Sequence, residues 1–231
     1  MTAHSVSRET LASLTSAQQL QIDLVLAALE ADEHAPTAIR EPQRASQAHV
    51  ADSLAALELD ALSGAGRIAD LGSGAGFPGL ALAVALPEAE VSLIESQRRK
   101  CEFLERLCAA AGVENARVVC TRAEEWGAGL GTNDAVLARA LAPQAVVLEY
   151  AAPLLRVGGT LVDWRGRRDQ AAEGEADRAA ALLGLARDEV RRVIPFEGAS
   201  DHHLHVFTKV RETPSRFPRR PGIARKRPLG S

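Results

Sequence analysis

The sequence predicts an α/β fold: a seven-stranded, mostly parallel sheet covered on both faces and preceded by a helical extension. Three observations carry this. From Arg67 onward short apolar runs alternate with helical patterns, the sequence form of a parallel sheet with helical crossovers. The first run ends in a glycine-rich turn, R-I-A-D-L-G-S-G-A-G-F-P-G over residues 67–79. The last two runs lie too close for a crossover helix, so they form a hairpin and the final strand is antiparallel.

The first sixty residues read as helices. Ser16 is placed to cap S-A-Q-Q-L-Q-I-D-L-V-L-A-A-L, where Leu20, Leu24 and Ala28 recur at helical spacing. After a break at E-H-A-P-T-A-I-R-E-P, Pro42 opens a second helix with Val50, Leu54 and Leu57 along one face. Strands are expected at 67–71, 90–94, 116–120, 134–138, 160–164, 188–194 and 204–210, with helices between them. One of these, K-C-E-F-L-E-R-L-C-A-A-A-G, stops at Gly112, a residue suited to ending a helix. The organisation is then a helical extension over 1–62, a sheet domain over 63–210 and a basic tail over 211–231.

Of the 231 residues, 46% are hydrophobic and 3% aromatic, so the core is built from Ala, Leu and Val. No stretch approaches the ~20 apolar residues of a membrane span, and M-T-A-H-S-V-S-R-E-T lacks the apolar centre of a signal peptide; a cytoplasmic protein is expected. Cys101, Cys108 and Cys120 form no C-x-x-C pair and are expected as buried small hydrophobes. Charge is uneven. Residues 209–231 carry eight basic side chains against Glu212, a net +7, leaving −10 for the rest of a chain whose formal net charge is −3. A basic tail behind an acidic body suits a polyanionic partner, and a solvated tail kept soluble by its charge is the competing reading.

The glycine loop points to a nucleotide-like ligand. Gly72, Gly74 and Gly76 let the chain turn tightly and present bare N–H groups around Ser73, with Phe77 and Pro78 opening the next helix. Gly74, Gly76 and Gly79 also fit the G-x-G-x-x-G of dinucleotide sites. Asp70 separates the two readings: a carboxylate beside the loop suits the sulfonium and ammonium of S-adenosylmethionine and repels a pyrophosphate. Glu95, about twenty residues on at the tip of the next strand, is placed to accept from ribose hydroxyls, or else to meet the positive end of the following helix. Ala123 and Glu124 after the third strand can flank an adenine or cap a helix. Arg139 ends a buried strand and needs a partner, either the ligand or a loop carboxylate.

These residues resemble the RsmG (GidB) family of bacterial 16S rRNA guanine-N7 methyltransferases. D-L-G-S-G-A-G-F-P-G, R-A-E-E, A-R-A-L-A-P, P-L-L-R-V-G-G and F-P-R-R-P-G-I-A-R-K-R-P-L follow the family's order, between about Arg40 and Leu229. The resemblance implies a class I S-adenosylmethionine-dependent, Rossmann-like methyltransferase fold. It implies methyl transfer to N7 of one guanine, guanine 527, in 16S rRNA of the small subunit, with S-adenosylhomocysteine as product. Gly72, Phe77, Ala123, Glu124 and Arg139 are the implied cofactor positions, and Glu95 the ribose one. Three places depart from the family pattern: Ala35-Pro36-Thr37 stands for Asn-Leu-Thr before Ala38-Ile39-Arg40, Ala48 for an arginine, and Arg165-Gly166 for Lys-Gly. His49, Asp52 and Ser53 keep its H-x-x-D-S form.

Guanine N7 carries an in-plane lone pair and no proton, so this transfer needs orientation and no general base. No catalytic residue is expected beyond a positioning role for Arg139, and His49 is expected to pack. His202, His203 and His205 do not amount to a metal set, and no metal ion is expected. RNA phosphates would meet Arg165, Arg167, Arg168, Arg216, Arg219, Arg220, Arg225, Lys226 and Arg227, and also Arg98, Arg99 and Lys100. Trp164, Phe217 and Phe77 are the aromatics available for stacking. The expected partner is 16S rRNA or the small ribosomal subunit, with no membrane, and the expected state is a monomer. Competing readings are a methyltransferase for another acceptor, an NAD-dependent oxidoreductase, and an RNA-binding module with a vestigial loop.

Overall fold

The computed structural model describes residues 4–5, 14–39 and 41–230. Arg40, Ser231 and most of the N-terminal decapeptide read for a leader lie outside the described residues.

The strands are β1 (His4–Ser5), β2 (Arg67–Leu71), β3 (Glu90–Glu95), β4 (Ala116–Cys120), β5 (Asn133–Arg139), β6 (Leu155–Arg165), β7 (Leu185–Ile194) and β8 (His202–Lys209). They form one sheet in the order β1-β7-β8-β6-β5-β2-β3-β4. The seven expected strands are all present. β1 is an addition to the expected count: it pairs in parallel with β7 through His4 and Val193, on a stretch too short to carry a periodicity. β8 runs antiparallel to both β6 and β7, as the short connection requires. β2 lies between β3 and β5, so the chain order reverses beside it. That reversal opens a crevice at the strands' carboxyl ends.

Helix α1 (Ser16–Ala31) is capped by Thr15 rather than Ser16. Thr15 Oγ1 accepts from the Gln18 N–H (3.3 Å) while Gln18 Oε1 accepts from the Thr15 N–H (2.9 Å), a reciprocal capping box. The buried face is Ile22, Val25, Leu26 and Leu29; the expected face is the outer one, with Leu20 60% and Leu24 41% exposed. Both sets have helical spacing, and only packing against the helices over 98–111 and 79–85 chooses between them. The second expected helix, 42–58, is irregular: an α turn at Pro42–Ala45, a π turn at Ser46–Ala51, α again at Asp52–Leu54 and a 3-10 turn at Ala55–Glu58. Next come α2 (Gly79–Ala85), one residue beyond Pro78, and α3 (Arg98–Ala111), which Gly112 terminates at φ 62° as expected. α4 (Gln144–Ala151), α5 (Gln170–Leu183) and the short α6 (Ile223–Lys226) complete the chain.

One sheet face packs against α1, the irregular helical run, α2 and α3 through Leu29, Leu54, Leu80, Leu93 and Phe103, so the extension and the sheet share a core. The other face packs against α4 and α5 through Val147, Leu161, Leu183 and Phe207. The basic tail is part of this second core, with Phe217 and Ala224 buried in it. Lys209, counted above with the tail, is buried; its ammonium donates to the carbonyls of Ala152 and of Leu155 (3.2 Å). The cysteines depart from expectation as well. Cys101 on α3 and Cys120 at the end of β4 form a disulfide with Cα atoms 5.8 Å apart, leaving Cys108 as the free thiol. No described helix is long and apolar enough to cross a membrane.

Candidate cofactor and acceptor site

A cavity of about 260 Å³ opens where β2, β3, β4 and β5 end. Of the expected residues, Gly72, Glu95, Ala123 and Glu124 line it. Gly72 has φ 68°, and a Cβ there would stand 2.5 Å from Leu141 Cδ1, so any side chain would fill the cleft. Gly79 is required for a different reason. Its Cβ would meet Asp70 Oδ2 at 2.6 Å and Leu93 at 2.5 Å, so it lets α2 approach β2 rather than cradling a ligand.

Asp70 does not line the cavity. It is buried, its Oδ2 accepts from the Gly79 N–H (3.1 Å), and Ser73 Oγ donates to its carbonyl (3.0 Å). Burial raises its pKa to about 6. Among the described residues its Oδ1 has no hydrogen-bond partner, an acceptor left over beside the loop. Glu95 meets the start of the following helix, the second of its two expected roles. Oε1 accepts from the N–H groups of Ser96 (2.8 Å) and Gln97 (2.9 Å) ahead of α3, while Oε2 accepts from Gly74 (3.3 Å) across the loop. The carboxylate is thus fixed at the cavity wall between two backbone segments. Ser73, Gly74, Gly76 and Phe77 shape the loop without forming that wall. Ala123 and Glu124 start a 3-10 turn after β4, and Glu124 Oε1 is occupied by the Gly222 N–H (3.2 Å), which leaves the backbone of this turn for a base edge. Apolar walls from Leu71, Ile94 and Leu141 and an anchored carboxylate suit the adenine and ribose of S-adenosylmethionine.

Arg139 meets a carboxylate, the second of its two expected partners, and does not line the cavity. Ala140 sits in the left-handed region at φ 53°, and this turn separates Leu141, which lines the cavity, from Arg139, which faces the helical layer. Its Nη1 donates to Asp52 Oδ2 (2.8 Å) and to the carbonyl of Ala48 (3.3 Å). The π turn makes the second contact available. Asp52 N–H bonds back to Gln47 and His49, so it does not donate to the Ala48 carbonyl as it would in a regular α-helix. Asp52 Oδ1 pairs with His202 Nδ1 (2.9 Å), and the Asp52 carbonyl accepts from Trp164 Nε1 (2.9 Å). The bond to the Asp52 carboxylate raises the His202 pKa.

His49 stacks on Phe77, ring centroids 5.0 Å apart and planes 12° from parallel, and its Nε2 meets Thr37 Oγ1 (3.1 Å). Burial and then the Arg139 charge lower the His49 pKa to about 4, so the ring is neutral. Asp52 and His202 were missed as site residues. The H-x-x-D-S spacing was the available signal for Asp52; nothing local marks His202 as its partner.

Many of the expected RNA-facing cations have internal partners. Arg165 bonds to Asp163 (2.6 Å), Arg168 holds Glu173 with both nitrogens (2.8 and 2.6 Å), and Arg219 clamps the buried Glu149. Arg216 lies over the Phe217 ring, 5.1 Å from its centroid. Arg225 and Lys100 line the cofactor cavity. Arg98, Arg99, Arg167, Arg220, Lys226 and Arg227 are exposed. The three histidines diverge: His202 to Asp52, His203 to the Gly166 carbonyl (2.8 Å) and His205 to Arg187 (2.8 Å). Among the described residues no group of three or more His, Cys, Asp or Glu is arranged to hold a metal ion.

The sheet order, the switch-point cavity and its acid-tipped second strand define a class I S-adenosylmethionine-dependent methyltransferase. Solved structures agree on the fold. A predicted O-methyltransferase, protein Atu636, from Agrobacterium tumefaciens superposes with a TM-score of 0.54 at 26% identity, covering 69% of this chain and 80% of that one. The 1,6-didemethyltoxoflavin-N1-methyltransferase of Burkholderia thailandensis gives 0.56 at 17% identity, over 80% and 88%. At family level, rRNA small subunit methyltransferase G matches residues 18–199, and the chain belongs to that family. Ribosomal RNA small subunit methyltransferase G of Rubrobacter xylanophilus is 41% identical over 196 residues, 82% of this chain and 75% of its relative. The Synechococcus elongatus protein of the same name is 36% identical over 198 residues, 84% and 82%. The oxidoreductase reading falls with this membership.

Proposed function

We propose that this chain methylates N7 of a guanine in small-subunit rRNA, guanine 527 by the family resemblance, using S-adenosylmethionine. The observation that carries the reading is the make-up of the surface beside the glycine loop. It presents the half-buried, neutral ring of His49, held flat against the buried Phe77 and backed by Arg139, whose charge is already paired with Asp52. Such a surface suits a planar base presented edge-on, and it offers no poised proton acceptor. N7 needs none. The bound cofactor supplies the methyl group on its sulfonium; the protein's part is placement. The glycine loop and Glu95 fix one reactant, while the helical run 42–58, pinned to the sheet through Asp52, Arg139 and Trp164, fixes the wall against which the base would lie. Exposed Arg167, Arg220, Lys226 and Arg227 supply phosphate contacts that orient the RNA without selecting sequence.

The test is to incubate the protein with labelled S-adenosylmethionine and either unmodified small subunits or bare 16S rRNA, and to map the product. Label confined to 7-methylguanine at one position is expected. Label in another nucleotide or in protein would refute the acceptor.

A further inference from the structure

The C-terminal segment closes one side of the cofactor cavity. Arg225 stands at the rim, and its Nη2 donates to the carbonyl of Leu141 (2.9 Å), the residue whose side chain faces Gly72. Its guanidinium also meets the Tyr150 hydroxyl, and Tyr150 lines the same cavity. Two fastenings hold the segment there. Gly222 N–H is bonded to Glu124 Oε1 (3.2 Å), and Arg219 joins the buried Glu149 on α4 while donating to the carbonyl of Arg227 (2.8 Å). The side chain following the third strand at Glu124, expected to meet adenine, is therefore used to seat the strap that carries Arg225.

We propose that Arg225 is a cofactor-binding residue and that residues 219–227 form a strap over the adenine end of the cavity. This rests on the cofactor reading above. A guanidinium has five N–H donors on a rigid plane, and the Leu141 and Tyr150 contacts leave others free to meet a purine nitrogen; the plane itself can also lie against the base. Lysine has neither property. Basic residues in this strap thus divide: Arg219 is bonded to Glu149, and Arg225, though exposed, is bonded at the cavity rim, while exposed Arg220 and Lys226 lie outside the cavity lining.

The experiment compares S-adenosylhomocysteine and adenosine binding by calorimetry for the wild-type chain, Arg225→Ala and Arg225→Lys. Arg225→Ala is expected to raise both dissociation constants about tenfold, with Arg225→Lys recovering little. An equal effect on adenosine places the contact at the adenosine half of the cofactor. On the wild-type chain, S-adenosylhomocysteine is expected to slow tryptic cleavage at Arg225 and Lys226, a readout that does not depend on any variant folding. Dissociation constants within twofold of wild type, or cleavage unaffected by ligand, overturn the strap while leaving the cofactor reading intact. A wild-type chain that binds neither ligand sinks both.

Discussion

Arg219→Ala should destabilise the protein by about 3–4 kcal/mol at neutral pH, and the deficit should shrink on acidification. Glu149 is 1% exposed, and both of its oxygens are bound by Arg219. Removing the guanidinium strands a carboxylate away from water, which ordinarily costs about 3–5 kcal/mol. The group has one escape, which is to take up a proton. For a carboxyl that ordinarily titrates near 4.3, that costs about 3.7 kcal/mol at pH 7 and about 1.6 at pH 5.5, and this caps the penalty at each pH. In a domain of this size about 3–4 kcal/mol corresponds to roughly 6–16 °C in Tm. Urea unfolding of wild type, Arg219→Ala, Glu149→Gln and the double variant at pH 7 and 5.5 provides the measurement. The double variant should recover much of the loss, because an amide does not require the charge. A deficit below about 1 kcal/mol, or one unchanged between the two pH values, would mean that Arg219 is free to meet RNA and that the tail is not anchored as described.

Three further outcomes are expected. His202 has its pKa raised by Asp52, so its contribution to stability is complete below about pH 6.5 and fades as pH rises through the folded value; His202→Gln should flatten stability against pH above 6.5, and an unchanged profile would detach His202 from Asp52. Reduction of the Cys101–Cys120 disulfide, which closes a sequence separation of 19, should cost about 3 kcal/mol and lower Tm; a Tm that dithiothreitol leaves unmoved would exclude the bond in solution. Reversing the charges of Arg220 and Lys226 should weaken RNA binding and flatten its dependence on log salt, each lost phosphate contact removing about 0.7 from the slope, whereas an unaltered slope would take the outer face of the strap out of the RNA interface.

What was legible in the sequence follows how local the physics is. The glycine loop, Glu95 and the turn at Ala123–Glu124 could be read because a few contiguous residues determine each geometry, and the strand tips place them together once the sheet is parallel. Gly112 was readable for the same reason. The face of α1 was not: Leu20–Leu24 and Ile22–Val25–Leu26–Leu29 both recur at helical spacing, and the choice belongs to the partner surface. The packing of the tail was not legible from its charge. Its arginines cluster in sequence like a nucleic-acid arm, but Glu149 is seventy residues away on α4, and no local pattern reveals that a buried acid awaits one of them. The Cys101–Cys120 pair escaped for a like reason, since adjacency of α3 and β4 creates it.

The same distinction bears on Arg139, whose position at the tip of β5 was evident and whose direction was not. In a regular helix over 42–54 the Ala48 carbonyl would accept from the Asp52 N–H; at the π turn over Ser46–Ala51 that N–H bonds to Gln47 and His49 instead, and Arg139 donates to the Ala48 carbonyl and to Asp52. A single guanidinium plane can serve a carboxylate and a carbonyl at once, and an ammonium on a flexible stem holds such a pair less rigidly. Arg139→Lys should therefore preserve the Asp52 ion pair, and with it most of the stability, while loosening the helical run that carries His49. The expected result is a Tm within a few degrees of wild type, unchanged S-adenosylhomocysteine affinity, and kcat for rRNA methylation reduced about tenfold or more. Arg139→Ala, by contrast, should lose stability and activity together, because it leaves Asp52 with His202 alone. If Arg139→Lys weakened cofactor binding and left kcat intact, Arg139 would belong to the cofactor cavity as the family resemblance implies, and the acceptor wall would have to be built from other residues.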